Sequence, residues 1–367
     1  MVSDYSIRRY KLGDEDKIVP LLELAIEGWS NLDVKCSSLD HWRWKHQCNP
    51  LGKSYVSVGA SEDNIIGCNH ATPRKVKIGN TVFLCNNGVD SAVHPDFRRR
   101  GVYTNTLELL NKFALENRVK LRYAITQNPI IIEHRAKNYL MFPQDVMVFV
   151  RILDIDLQLK MMPEKNAMMK SYGFHLAKLY NNLRNILRKP VRSDWDIRIS
   201  RIHSFSEDIN LFWNEIRDHY SFIVERTKDF LNWRYCDPRG GDYAVHVAED
   251  DDKILGFNVL RIDRRWNEYP VGFIVDLLTV PDRLDVVKAL VANAVDHFDR
   301  NAVNIISSLV VKNHSYEDIF NSFGFLNSRF KMNICFRLFE EMCEELLEFR
   351  TSSPNRVHFV FGDYDAV

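Results

Sequence analysis

The chain has 367 residues, of which 46% are hydrophobic and 27% charged, a composition typical of soluble globular proteins and a length that suits about two domains. Its 49 basic residues balance its 49 acidic residues, so no overall charge favours a nucleic acid or an anionic membrane as a partner. We find no apolar run of about 18 residues that could span a membrane, and no signal-peptide pattern. These features predict a soluble cytoplasmic protein that does not bind nucleic acid.

The seven cysteines give no sign of a metal site or a disulfide framework. None of them forms a CxxC pair, and their density is far below that of small secreted proteins. We therefore expect reduced thiols and no bound metal.

Taken in chain order, the first 152 residues predict alternating strands and helices. The predicted elements are a strand at 5–10, a helix at 17–29, strands at 55–60, 65–72, 76–78 and 82–93, a helix from 102, a strand at 121–127, a helix at 130–140 and a strand at 146–152. This order predicts a first domain of mixed α/β type.

The stretch from 82 to 113 is the most informative part of this domain. An apolar strand that ends at Val93 passes through a turn and the arginines at 98–100 to Gly101, where a helical pattern begins. A glycine at this junction lets the backbone approach a ligand, and the unpaired N–H groups of the first helical turn then face that ligand. The helix dipole and the arginines add positive charge, which favours a pyrophosphate.

This stretch resembles the signature segment of the GCN5-related N-acetyltransferase (GNAT) family. The family pattern [QR]-x-x-G-x-[GA] corresponds here to Arg98-Arg99-Arg100-Gly101-Val102-Tyr103, with Tyr103 in place of the final glycine or alanine. In that family the loop amides hold the pyrophosphate of acetyl-CoA. The order of the predicted elements is also that of the family, so the resemblance covers residues 1 to about 152.

The resemblance implies a binding site for acetyl-CoA, or another short acyl-CoA, as co-substrate. The strand at 90–93 would lie beside the pantetheine arm, and a free N–H near Val93 would polarise the thioester carbonyl. The residues that the resemblance implies at the cofactor are Ala92, Val93, Arg98, Arg99, Arg100, Gly101, Val102, Tyr103, Thr104 and Asn128.

Direct attack of an amine on the thioester needs no enzyme nucleophile, but the amine must lose a proton. Asp90 and His94 are the nearest titratable candidates, and a hydrogen-bonded strand-end carboxylate and a turn cap are equally good interpretations of them. Family members often use a tyrosine on the helix after the fifth strand as general acid. Tyr139 fits that position, while His134 competes with it and a core role for Tyr139 stays open.

An internal repeat indicates a second domain of the same kind. Trp233 follows Trp44 by 189 residues, and Asp237-Pro238 and Leu255-Gly256 recur at nearly the same distance from Asn49-Pro50 and Ile66-Gly67. The recurrence favours a packing role for Trp44 and leaves Trp42 and His46 as residues that could face the acceptor.

The second copy lacks the arginine-glycine loop. After Pro281 the chain reads Arg283-Leu284-Asp285, which has no glycine and adds a carboxylate that would repel a pyrophosphate. We therefore predict an α/β (α+β) protein with two tandem GNAT-like domains, each a mixed, mostly antiparallel sheet flanked by helices, the second degenerate. The predicted parts are 1–152, a helical linker at 153–195, 196–340 and a tail at 341–367.

These features predict an acetyl-CoA-dependent N-acetyltransferase whose acceptor is a primary amine on a small molecule, such as an amino sugar. Transfer to a protein amine, and a non-catalytic acyl-CoA-binding or scaffolding role, remain open alternatives. The sequence is compatible with a homodimer and does not identify the acceptor.

Overall fold

The computed structural model describes residues 5–30, 33–125, 139–154, 157–158, 197–265, 269–341 and 343–364. The strands in this part of the chain are Ser6–Arg9 (β1), Tyr55–Ser61 (β2), Asn64–Ile78 (β3), Thr81–Val93 (β4), Leu121–Ile125 (β5), Leu140–Met141 (β6), Val146–Ile152 (β7), Arg198–Ile202 (β8), Phe222–Val224 (β9), Tyr243–Asp250 (β10), Lys253–Asp263 (β11), Val271–Thr279 (β12), Ile305–Val311 (β13), Leu326–Lys331 (β14) and Ile334–Leu338 (β15).

The helices of the described residues flank the sheets that these strands form. They are Glu15–Ala25 (α1), Ser38–Gln47 (α2), Val102–Glu116 (α3), Asp208–Ile216 (α4), Lys228–Leu231 (α5), Leu284–Arg300 (α6), Tyr316–Ser322 (α7) and Cys343–Thr351 (α8). Within the described ranges, no helix has the length and apolar character needed to cross a membrane.

The strands form two mixed sheets of the predicted kind. The first has the order β1-β2-β3-β4-β5-β15-β6, with β9 also paired to β3, and the second has the order β14-β7-β13-β12-β11-β10-β8. The pairs β4–β5 and β12–β13 are parallel, whereas the other pairs in these two orders are antiparallel. The predicted fold class, with two mostly antiparallel sheets flanked by helices, is confirmed.

The two halves of the chain contribute strands to each other's sheet; besides β9, this involves β7 and β15. The strand β7, which the sequence analysis assigned to the first domain, lies in the second sheet between β13 and β14. In return β15, from the second half, lies in the first sheet between β5 and β6. The boundary between the sheets therefore does not coincide with the sequence boundary predicted at residue 152.

Several predicted elements differ from those observed. The strands predicted at 65–72 and 76–78 are one strand, β3, because Pro73 lies where the outer edge of β3 has no partner, between its pairing with β2 and its pairing with β9. The helix predicted at 130–140 lies mostly outside the described residues. At its end the prediction is wrong, because Tyr139 is in a bend and Leu140 begins β6.

The largest core cluster lies between the two sheets and contains the repeated tryptophans. The rings of Trp44 and Trp233 stack with centroids 5.0 Å apart, and they are 2% and 8% exposed. Each indole N–H donates to the backbone carbonyl of the other residue, at 3.0 Å from Trp44 and 3.2 Å from Trp233. This reciprocal contact confirms the packing role of Trp44 and joins the two halves.

Alanine at Trp44 or at Trp233 should lower the free energy of unfolding by about 3–5 kcal/mol, because each change leaves a large cavity. Since the two residues also bond each other, the double variant should lose less than the sum of the single losses, by about 0.5–3 kcal/mol. Urea unfolding of the four proteins measures this coupling, and strictly additive losses would contradict it.

Candidate functional site

The arginine-glycine loop adopts the geometry that the sequence predicts at a helix start. Gly101 has φ +82° and directly precedes α3, a left-handed conformation that glycine adopts without strain. The first hydrogen bond of the helix runs from Asn105 N–H to Gly101 O, so the N–H groups of residues 102–104 have no partner within the helix. The three arginines at 98–100 are exposed beside them. The loop therefore presents backbone donors and positive charge at one place.

Two glycines in the sheet allow the start of α3 to lie close to β2 and β3. Gly59 and Gly67 face each other across the β2–β3 pair. A Cβ atom at Gly67 would stand 2.4 Å from Cγ1 of Val102, and one at Gly59 would stand 3.0 Å from it. On the other side of the loop, the Tyr5 hydroxyl donates to the Arg100 carbonyl at 2.8 Å. These contacts fix the loop relative to the sheet.

The strand that leads into the loop leaves its parallel neighbour early. Among the described residues, which on β5 end at Ile125, the pairing with β5 covers only residues 85–87 of β4, and β4 then continues to Val93. We call the opening beyond Asn87 and Tyr123 the first fork. His94 donates its N–H to Ile66 O on the β3 side. Because N–H directions alternate along an antiparallel strand, the N–H of Val93 points to the opposite edge, toward the first fork.

A buried carboxylate occupies the bulge of β4 beside this fork. Asp90 has φ +46°, and the β3–β4 register shifts at this point. Its Oδ2 lies 2.7 Å from Lys45 Nζ and 3.0 Å from His46 Nε2, while Trp29 Nε1 donates to its Oδ1 at 2.9 Å. The side chain of Asp90 is only 7% exposed. We call these four residues, together with His70, the Asp90 cluster.

Both histidines of the cluster have partners at both ring nitrogens. His46 Nδ1 lies 3.0 Å from Ser54 Oγ. His70 Nδ1 donates to the Asp90 carbonyl at 2.8 Å, and its Nε2 accepts from Trp42 Nε1 at 3.1 Å. The two imidazole rings stack with centroids 4.3 Å apart. The cluster is therefore a closed hydrogen-bond network that ties α2 to the bulge.

Burial and charge determine the protonation states in this network. Burial alone would raise the pKa of Asp90, but the Lys45 ammonium and the His46 hydrogen bond hold that pKa well below its usual range. Burial lowers the pKa of His46 to about 3, with a further contribution from His70, and lowers the pKa of His70 to about 4. At neutral pH the carboxylate is ionised and both imidazoles are neutral.

Of the predicted catalytic residues, Asp90 lies on β4 and His94 directly follows that strand, whereas Tyr139 lies at the far side of the sheet. Asp90 borders the first fork, and Ala92 is buried on the same strand. His94 accepts the N–H of Asp96 at 3.3 Å and so caps the turn, one of its two predicted roles. Tyr139 lies next to the Arg337 guanidinium, just before β6, and β5 and β15 separate that strand from β4. Asn128 and His134 lie outside the described residues.

The other predicted residues divide between surface and core. Tyr103 is half-buried and Thr104 is exposed on the first turn of α3. Trp42 and His46, which the sequence analysis left free to face an acceptor, are each 1% exposed. Sequence reasoning missed Lys45 and His70. Side chains alternate between the two faces of a strand, so His70 lies on the same buried face of β3 as Cys68. That position could have indicated that His70 has a buried polar partner.

A groove of about 470 Å³ between the two halves lies far from this fork. It includes Lys75, Trp213 and Glu225 among its lining residues. Lys75 pairs with Leu84, at the other end of β4 from Val93. Nine residues of strand correspond to about 30 Å, so the groove is not part of the candidate donor site.

Comparisons with known proteins support the fold. No protein-family model matches the chain, and no curated protein matches it in sequence. A conserved protein of unknown function from Enterococcus faecalis V583, named as a probable N-acyltransferase, matches with TM-score 0.61 and 13% identity over 94% of this chain and 74% of that one. A GCN5-related N-acetyltransferase from Anabaena variabilis ATCC 29413 matches with TM-score 0.60 and 10% identity over 92% and 73%. The chain therefore has the fold of these proteins.

Replacing Lys45 with methionine should lower the free energy of unfolding at pH 7 by about 3–5 kcal/mol, because Asp90 would lose a cation in a buried site. Adding Asp90→Asn should recover part of this loss. The matched control is Lys35→Met, whose partner Asp242 is exposed and whose loss should stay below about 1 kcal/mol. Equal losses in the two lysine variants would contradict the account, and chemical denaturation measures them.

The buried histidines should make the protein less stable as the pH falls. Between the unfolded pKa of histidine, about 6.5, and the folded value of His46, about 3, the unfolded chain binds more protons than the folded one. The contribution of His46 is complete above the unfolded value and is lost toward the folded value. His46→Gln should therefore reduce the slope of unfolding free energy against pH near pH 5 by about 1.4 kcal/mol per pH unit. Replacing the exposed His203 is the control, and an equal change there would refute the assignment.

Proposed function

We propose that the chain is an acyl-CoA-dependent N-acyltransferase that uses acetyl-CoA as donor and a primary amine on a small molecule as acceptor. The observation that carries this proposal is that one strand, β4, borders the first fork and leads through the loop at 94–100 to the helix start with Gly101. A long donor with an anionic part and an extended arm fits this combination. The fold of the two solved structures supports the same class of reaction.

In this proposal the pyrophosphate of the donor binds at the start of α3. The unpaired N–H groups of residues 102–104 would donate to phosphate oxygens, and the helix dipole would favour their negative charge. The exposed arginines at 98–100 would add ion pairs from the solvent side. The half-buried Tyr103 leaves these backbone donors in place, since it contributes its N–H from the same turn.

The pantetheine arm would then run along the open edge of β4 in the first fork. That edge has the hydrogen-bonding groups of an unpaired strand, which suit the two amides of the arm. At its end the N–H of Val93, directed to this edge, would polarise the thioester carbonyl. The amine nitrogen attacks the carbonyl carbon, the C–S bond breaks, and the proton that the amine loses balances the one that the thiolate gains.

The Asp90 cluster would act in this reaction by positioning β4 rather than by taking a proton. A general base works best with a pKa near the working pH, and the pKa of Asp90 lies well below its usual range. His46 and His70 are also engaged at both nitrogens. Tyr139 as general acid and Asn128 as a ligand of the pantetheine amides stay predictions.

The closed Asp90 cluster also favours a second candidate function, binding of acyl-CoA without catalysis. In that case the chain would bind acetyl-CoA but release no CoA in the presence of amines. A thiol-release assay with a panel of amine acceptors separates the two functions.

Gly101→Glu should abolish the binding of acetyl-CoA, because it places bulk and negative charge at the predicted phosphate site and strains a residue with positive φ. The matched control is Gly52→Glu, since Gly52 also has a positive φ, open space around it, and a position at the far end of β2 from the loop. Calorimetric titration should show binding to the wild type and the control only. No binding to the wild type would refute the donor proposal.

A further inference from the structure

The second sheet has a fork equivalent to the first. β12 pairs with its parallel neighbour β13 only at Val271–Ile274 and then continues to Thr279. Gly256 pairs with Thr279 as Gly67 pairs with Val93. We call the opening beyond residue 274 the second fork. Its geometry alone would suit an extended ligand, as in the first sheet.

The helix that follows the second fork does not have a phosphate-binding start. Arg283 precedes α6 with φ −82°, so the left-handed glycine of the first domain has no counterpart. Its guanidinium is paired with Asp285 in the first turn, at 2.7 Å. The carboxylate stands where an anionic ligand would have to approach. The second fork therefore lacks the anchor for a nucleotide.

The chain itself fills the second fork. Residues 357–360 lie against β12 and β13, and they leave a cavity of about 30 Å³, enough for a water molecule or two. Val280 donates its N–H to Leu255 O on the β11 side, so the alternation of the strand directs the Leu277 carbonyl toward the fork. His358 Nε2 lies 3.2 Å from that carbonyl and donates to it. A side chain of the C-terminal segment, residues 357–363, thus donates to one carbonyl on the open edge of β12.

A buried ion network fastens this segment at its other end. Arg226 donates to Asp276 at 2.8 Å and to Asp363 at 2.8 Å, and all three side chains are fully buried. Tyr235 also donates to Asp276, at 2.9 Å. If the segment undocked, Asp363 would leave and the buried Arg226 would lose one of its carboxylate partners. Because such a loss is strongly destabilising, the network favours the docked position of the segment.

The same segment reaches the base of the first fork. The Tyr123 hydroxyl donates to the carbonyl of Asp363 at 3.3 Å. Tyr123 is the last residue of β5 that pairs with β4. The ring of Tyr123 also contacts Phe359, with centroids 6.5 Å apart. The segment therefore connects the filled second fork to Tyr123 at the base of the first one.

We infer that the second fork is a peptide-binding cleft whose resident ligand is the chain's own C-terminal segment, so each chain has a single acyl-donor site. The segment takes the place that an extended cofactor arm would otherwise occupy, and it supports Tyr123 at the base of the donor fork. Only the statement about the donor site rests on the proposed function. The filled cleft rests on the contacts of His358, Asp363 and Arg226.

Hydrogen exchange of the full-length protein tests the filled cleft without any cofactor. Peptides that cover residues 275–279, 308–311 and 357–360 should exchange slowly in the wild type. His358→Ala should raise their exchange rates at least tenfold and leave the exchange rates of residues 64–71 unchanged. The matched control is Arg356→Ala, which removes an exposed side chain whose Nε donates to the His219 carbonyl at 3.0 Å. Fast exchange of 357–360 in the wild type, or equal effects of the two variants, would overturn the inference.

Titration with acetyl-CoA tests the single donor site separately. The expected result for the wild type is one molecule bound per chain, lost in Gly101→Glu. Two molecules per chain would overturn the inference. No binding together with slow exchange in the second fork would refute the proposed function and the donor site while upholding the filled cleft.

Discussion

Each sheet carries a buried aspartate on the strand that borders its fork, and the rest of the structure has to neutralise it. In the first sheet this is Asp90, whose cation is Lys45 on α2. In the second it is Asp276, whose cation is Arg226. A carboxylate removed from water without a partner costs several kcal/mol, so the elements that bring the cations are tied to the forks. The pairing holds α2 against the first sheet, and it holds the segment around Arg226 between the sheets.

Both halves pair a buried aspartate with a cation beside the fork, but the two forks differ. Beside Asp90, β4 leads into a helix start whose Gly101 adopts a left-handed conformation. Beside Asp276 the fork is filled, because Asp363 of the C-terminal segment joins the same arginine. The two forks therefore differ in the loop that follows the strand and in the segment docked beside Asp276. The stacked pair Trp44 and Trp233 keeps the two halves in a fixed relation.

Much of the fold could be predicted from local patterns. The helix start at Gly101 has a sequence signature that depends only on neighbouring residues, and the repeat of Trp44 at Trp233 indicated the second domain. The exchange of β7 and β15 could not be predicted, because an apolar strand satisfies either sheet and only the tertiary structure decides between them. The continuity of β3 through Pro73 depends on a gap between two partner strands, which no local pattern reports.

The candidate site was less accessible to sequence reasoning than the fold. Asp90 was identified from its place before Val93, but its partners Lys45 and His70 lie on other elements, 45 and 20 residues before it in the chain. Trp42 and His46 seemed free to face an acceptor because their burial comes from contacts with β3 and β4. A network of this kind depends on which side chains meet in space, and a linear pattern contains no such information.

The most direct test of this account is a crystal structure of the protein with bound CoA. We expect density for the pyrophosphate at the N–H groups of residues 102–104 and for the pantetheine arm along Gly88–Val93, with residues 357–363 still in the second fork. Density for CoA in the second fork, or at a site away from α3, would contradict it.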